Sequence, residues 1–142
     1  MPMPVRSMRK PRKSSAPALQ CAPIGCGIDV VEIDRFQRTI KRWGPAFLKR
    51  VFTPAEQAYA RRHKDAIVRL AARFAAKEAV VKAMSQVEPD RPLMMSQVEI
   101  RNDRLGRPSV VLNGWVGKRF SVHVSLSHET RVAVASAIVV GK

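Results

Sequence analysis

Ala66 to Met84 (AIVRLAARFAAKEAVVKAM) contains no Gly or Pro and is rich in Ala, which predicts a helix. It is too apolar for a surface helix, so the rest of the fold has to pack around it. Phe74, Glu78 and Lys82 stand four residues apart within it and share one face. A carboxylate and an ammonium are thus aligned on an otherwise packed helix.

Upstream, Ile24 to Val31 (IGCGIDVV) reads as a short apolar strand whose glycines at 25 and 27 suit a tightly packed position. Asp29 lies inside that run, where a carboxylate is costly unless it is paired or holds a cation. From Glu32 to Trp43 the period becomes helical, with Ile33, Phe36, Ile40 and Trp43 forming the apolar stripe. The other face is cationic: Arg35, Arg38, Lys41, Arg42, Lys49 and Arg50 follow with no acid between Arg35 and Arg50. Thr53-Pro54-Ala55-Glu56 carries an N-cap hydroxyl, Pro at the first helical position and a Glu that closes a capping box, so a short helix to about Arg62 is expected.

Downstream, Ser85 to Met95 contains Pro89 and Pro92 and reads as an irregular loop. Val98 to Arg101 and Pro108 to Leu112 form a hairpin across the polar turn NDRLGR. From Ser121 to Ser127 the alternation puts Ser121, His123, Ser125 and Ser127 on one face and Val122, Val124 and Leu126 on the other. On pattern alone, His123 reads as a half-buried histidine bonded across the sheet. His128 ends that strand, a place from which side chains reach into clefts, and Val132 to Val140 completes the sheet.

With 142 residues the chain has room for one domain. Apolar residues at 46% exclude wholesale disorder, and the aliphatic runs are too short to cross a membrane. Lys plus Arg number 26 against 11 acids, and the resulting +15 points to a polyanionic partner. A basic leader over residues 1–23 holds five cations and no acid and reads as a mobile arm; the rest, residues 24–142, still carries +10 without it. Cys21 and Cys26 have no second pair to complete a zinc site, so free thiols in a reducing compartment are expected. Aromatic residues at 6% argue against a stacking platform for single-stranded nucleic acid, while duplex binding through phosphates stays open.

Asp29 and Glu78 are the two acids least explained by solvation, and their spacing leaves two readings open. In one they hold Mg2+, which prefers a few carboxylates with waters and phosphate oxygens, and Lys82, one turn beyond Glu78, reaches the same phosphate. In the other, Glu78 and Lys82 form an ordinary helix pair and Asp29 caps the helix that follows. The acid-free run from Arg35 to Arg50 favours docking of an acidic partner over a merely solvated face.

Three segments taken together resemble a known family. Gly27-Ile28-Asp29-Val30-Val31-Glu32-Ile33-Asp34-Arg35-Phe36, Arg73-Phe74-Ala75-Ala76-Lys77-Glu78-Ala79-Val80-Val81-Lys82-Ala83 and His123-Val124-Ser125-Leu126-Ser127-His128 look like the signatures of holo-acyl-carrier-protein synthase, a 4′-phosphopantetheinyl transferase. The resemblance extends from about Ile24 to Val140 and leaves the leader outside it. It implies an α+β fold with an antiparallel sheet packed on a long central helix. It further implies transfer of phosphopantetheine from coenzyme A to a serine of an apo acyl carrier protein, releasing adenosine 3′,5′-bisphosphate.

By the same resemblance, Asp29 and Glu78 ligate Mg2+, Lys82 steadies the phosphate, and Arg73, Pro108 and His128 contact coenzyme A. Either Glu78 or a metal-bound water takes the serine proton. Carrier proteins are acidic, which matches docking on Arg35, Arg38, Arg42 and Arg50. The family further implies a homotrimer with sites shared between subunits, and a cytoplasmic role in fatty acid and lipid metabolism. The chain departs from the family pattern at Met84 to Pro89, in place of a glycine-rich GTG loop, and at Val132-Ala133, in place of Tyr-Ala. The alternative function is a noncatalytic basic module that binds an acidic carrier protein or nucleic acid.

Overall fold

A strand with glycine at alternate positions presents a face with no side chains, and a helix rich in alanine can lie directly on it. The computed structural model, which describes residues 21–142, is built on this contact. In chain order the elements are β1 (Ile24–Glu32), α1 (Ile33–Val51), α2 (Pro54–Arg61), α3 (Ala66–Val87), a 3-10 turn (Met95–Gln97), β2 (Val98–Asn102), β3 (Pro108–Leu112), α4 (Trp115–Arg119), β4 (Phe120–His128) and β5 (Val132–Gly141). β1, β5 and β4 form an antiparallel sheet in that order, and β2 and β3 form a separate hairpin. The expected α+β architecture is therefore the observed one, with α3 laid across the inner face of the larger sheet.

The fit of α3 on β1 is close. A Cβ on Gly25 would sit 2.1 Å from the Ala83 carbonyl oxygen, and one on Gly27 would sit 2.0 Å from that of Ala79. β5 contributes Ala133, Ala135, Ala137 and Val139 to the same interface, all buried, as are Ala75, Ala76, Val80 and Met84 of α3. Each fully buried Val or Met side chain adds roughly 1.5–3 kcal/mol. A second cluster joins α1 to α3: Phe36 meets Phe47, Phe52 and Phe74 with ring centroids 6.1, 6.3 and 5.4 Å apart.

Several elements run differently from the sequence reading. α1 does not end at Trp43 but continues to Val51 across a kink at Gly44, whose φ of 55° and ψ of −142° favour glycine, with Pro45 opening the second half. Trp43 is not in the apolar stripe; it is 59% exposed, and Arg42 lies against its ring at 5.1 Å. α3 also continues beyond Met84, so Ser85, Gln86 and Val87 are helical rather than loop. The reason is Gln86, whose side chain accepts from Cys26 N at 2.9 Å and donates to Cys26 O at 2.7 Å, tying the added turn to β1. The predicted capping box at Thr53 and Glu56 is present, and the hairpin has the expected register. His123 is exposed rather than half-buried.

Cys21 and Cys26 are free and exposed. No helix among the described residues is long and apolar enough to cross a membrane. The leader lies outside the described residues apart from its last three positions, where Pro23 O accepts from Gly141 N at 2.9 Å.

Candidate active site

Side chains on β1 alternate between faces, so the position after Gly25 and Gly27 on the helix side is Asp29. Gly25 lies against Ala83 and Gly27 against Ala79, so β1 runs back along α3 and Asp29 falls beside the turn that carries Glu78. Both carboxylates line one cavity of about 590 Å³, together with Arg35, Phe36, Phe47 and Phe74. Lys82 reaches the same place: its Nζ lies 2.7 Å from Asp29 Oδ1 and donates to Ile28 O at 3.1 Å.

This geometry does not match the second reading of the spacing. Lys82 pairs with Asp29 across to the strand and not with Glu78 along its own helix. Asp29 is not a cap either, because the N-cap position of α1 is Glu32 and makes no side-chain cap bond. Burial pushes the Glu78 carboxyl above its ordinary 4.5, Asp29 pushes it further in the same direction, and Lys82 partly opposes them. The hydrogen bond it donates to Asp29 holds the Lys82 ammonium above its usual range.

A carboxylate whose ionisation is opposed by burial and by a second carboxylate forms a site that a cation relieves. Among the described residues no cluster of three or more His, Cys, Asp or Glu could enclose a metal. A pair of oxygen donors open to a cavity suits an ion that keeps waters and takes its remaining ligands from substrate phosphate.

A second cavity of about 510 Å³ adjoins the first, sharing Thr39, Phe47, Phe74 and Glu78 and adding Trp43 and Arg50. Glu78 therefore stands at the junction of two hollows, with the kinked α1 as their common wall. Arg35 borders one and Arg50 the other. Arg38 is exposed and 3.9 Å from Glu32, a surface pair of little energetic weight, and Arg42 covers Trp43.

Arg73, Pro108 and His128 do not join the Asp29 and Glu78 cavity within one chain. Arg73 is 4% exposed; its Nη2 donates to Asn102 Oδ1 at 2.6 Å, its guanidinium lies 4.0 Å over the Tyr59 ring, and its Nε has no partner. It lines a separate hollow of about 310 Å³ with Arg62 and Arg101. Pro108 is paired opposite Asn102 beside that hollow, and His128 is exposed at the end of β4, opposite Ala133.

Sequence reasoning overlooked Lys77, which is fully buried beside Glu56. Its signal was legible: Leu70, Arg73, Lys77, Val80 and Met84 keep the three-and-four spacing of a core stripe, and all five are buried.

Comparison with known proteins follows this geometry. Residues 25–139 match the model of the 4′-phosphopantetheinyl transferase superfamily. The holo-[acyl-carrier-protein] synthase of Trichlorobacter lovleyi is 46% identical over 121 residues, covering 81% of this chain and 95% of that protein. That of Syntrophus aciditrophicus is 41% identical over 123 residues, covering 82% and 95%. Among solved structures, a Chronobacterium ammoniagenes ACPS–CoA complex superposes with a TM-score of 0.74 at 29% identity, covering 84% of this chain and 98% of that one. The acyl carrier protein synthase of Mycobacterium tuberculosis gives 0.66 at 37% identity, covering 83% and 97%. A strand that delivers Asp29 to the helix bearing Glu78 and Lys82, in a chain matched over nearly its whole described length, leads to one assignment: the chain belongs to the 4′-phosphopantetheinyl transferase superfamily.

Proposed function

We propose that residues 24–142 form a holo-[acyl-carrier-protein] synthase that moves 4′-phosphopantetheine from coenzyme A to a serine hydroxyl of an apo acyl carrier protein. The observation that carries this reading is the sharing of one cavity by Asp29 and Glu78, with Lys82 at 2.7 Å from Asp29, beneath the cationic helix α1. Mg2+ held by Asp29 and Glu78 would supply polarisation of the attacked phosphorus and neutralise charge on the leaving group. The serine oxygen forms the new bond to phosphorus, the bond to the adenosine bisphosphate breaks, and the serine proton passes to a base. Either Glu78, which faces the cavity beside Asp29, or a water in the same site takes that proton. Lys82 balances phosphate charge from the rim of the cavity.

Arg35, Arg38, Arg42 and Arg50 receive the acidic carrier protein, as their exposure along α1 supports. Arg73, Pro108 and His128 contact coenzyme A in an assembly where neighbouring subunits complete each site, a homotrimer. Support for such an assembly comes from the outer face of the β1, β5 and β4 sheet, where Ile24, Ile28 and Val30 are 65%, 63% and 61% exposed in the isolated chain. The setting is cytoplasmic, in fatty acid and lipid metabolism. A noncatalytic basic module is the weaker reading, since charge alone gives no reason for two carboxylates inside the cavity.

Intact-mass spectrometry of an apo acyl carrier protein incubated with the protein, coenzyme A and Mg2+ tests the proposal. A phosphopantetheine mass gain is expected with the wild type and no gain with Asp29→Ala. Equal gain in the Asp29→Ala protein would remove the assigned site, and no gain with any of several apo carriers would remove the activity.

A further inference from the structure

Lys77 and Glu56 form a fully enclosed ion pair, 2.7 Å apart with neither side chain exposed, that the proposed chemistry does not use. Such a pair is expensive to bury and earns its place only where its geometry and remaining hydrogen bonds are complete. Here they are complete. Lys77 Nζ donates to Val51 O at 2.6 Å and Met95 O at 3.2 Å, while Glu56 accepts from Thr53 N and Ile100 N, both at 2.9 Å.

The positions of those partners give the pair a specific role. Val51 is the last residue of α1, so its carbonyl lies among the orphan acceptors at the negative end of that helix. Thr53 is the N-cap of α2, and Glu56 lies in its first turn, at the positive end of that helix. Lys77 thus brings from α3 a buried cation to the end of α1, where Lys49 and Arg50 of the last turn are exposed, Glu56 supplies the anion at the start of α2, and the two charges meet across the bend. The second half of α1, beyond the Gly44 kink, carries Phe47 and Arg50, which wall the hollows on either side of Glu78.

We propose that Lys77 and Glu56 are positioning residues: their ion pair sets the angle of the α1–α2 elbow and thereby holds the carrier-docking half of α1 against Glu78. The part concerning the carrier protein rests on the transferase reading; the clamp itself does not. The clamp grips α3 on the side away from Glu78 and Lys82, while Glu56 also lines the hollow that holds Arg73, so loss of the clamp acts first on carrier binding and more weakly on coenzyme A.

The test uses the full chain as Lys77→Met combined with Glu56→Gln, which leaves no buried charge unpaired, and as Glu56→Gln alone, a change of one atom type that keeps the side-chain shape. Hydrogen exchange read by mass spectrometry is expected to quicken about tenfold over residues 46–52 in the double variant, with β5 and the middle of α3 unchanged. In steady-state assays the KM for apo acyl carrier protein is expected to rise roughly tenfold and the KM for coenzyme A to rise less, by no more than about threefold. Glu56→Gln alone strands the Lys77 ammonium and is expected to show the same pattern at equal or greater size. Unchanged exchange over residues 46–52 in either folded variant overturns the proposal, as does acceleration shared equally by the sheet. If one of the two variants does not fold, the other decides alone. A wild type that modifies no carrier while the exchange pattern appears sinks the transferase reading and leaves the clamp standing; a competent wild type with variants of unchanged carrier KM does the reverse.

Discussion

Lys77 and Glu78 are neighbours in sequence and lie on two sides of α3, and their surroundings differ in kind. Lys77 is enclosed with a carboxylate and two carbonyls around it. Glu78 faces a cavity that it shares with another carboxylate, with the nearest ammonium committed to that other acid. The charge of Lys77 is answered on all sides, and around Glu78 there is an excess of negative charge. A fully answered charge stabilises the fold; an unanswered one is free to bind something from outside.

The largest expected effect tests the satisfied side. Lys77→Met strands Glu56 in the core, and a loss of about 3–5 kcal/mol in unfolding free energy is expected by urea denaturation. A loss below about 1 kcal/mol would erase the contrast. Next comes the unsatisfied side, where Glu78→Ala is expected to lower kcat/KM by about 10³, or about 4 kcal/mol of transition-state stabilisation, with little change in the denaturation midpoint. A variant that kept its activity would deprive Glu78 of its role.

Gly27→Ala probes the contact that brings Asp29 to α3. The added methyl would meet the Ala79 carbonyl at 2.0 Å, so β1 must shift, at a cost of roughly 1–3 kcal/mol and with reduced activity even at temperatures where the protein stays folded. Wild-type activity would mean that the strand and helix do not depend on this spacing.

The smallest effect sharpens the comparison through pH. The Glu78 carboxyl is raised in the folded state, so its contribution favours folding below its ordinary 4.5 and is lost as pH rises through the folded value. At neutral pH the ionised group is a burden, and Glu78→Gln is expected to be more stable there by on the order of 0.5 kcal/mol, an amount reduced by solvent screening. Thermal melts of the two proteins should converge below about pH 4.5. A constant offset at every pH would assign the gain to packing rather than to charge.

Much of the fold was legible because it rests on local signals. The helix around Phe74 and Glu78, the cap at Thr53 and Glu56, the glycines of β1 and the hairpin across Gly106 each follow from propensity or period. The misreadings have one origin. The helical period read to Trp43 does break at Gly44, but a second helical stretch to Val51, packed through Phe47, follows it unread. Ser85 and Gln86 suggest a loop, but bonds to Cys26, sixty positions away, extend α3. Trp43 has the right period for the core and is turned outward by the kink beside it.

For the site, the sequence by itself determined the candidates: Asp29, out of place in an apolar strand, and Glu78 with Lys82 on one helical face. It also determined the cationic face of α1, because an acid-free run is visible without coordinates. Only the tertiary structure decided how the charges pair. Lys82 is four residues from Glu78 and yet bonds Asp29, and Lys77 adjoins Glu78 and yet bonds Glu56. Period tells which residues share a face, but the partner of a charge is set by whichever strand, cap or carbonyl the packing brings within hydrogen-bond reach, and no local rule contains that distance.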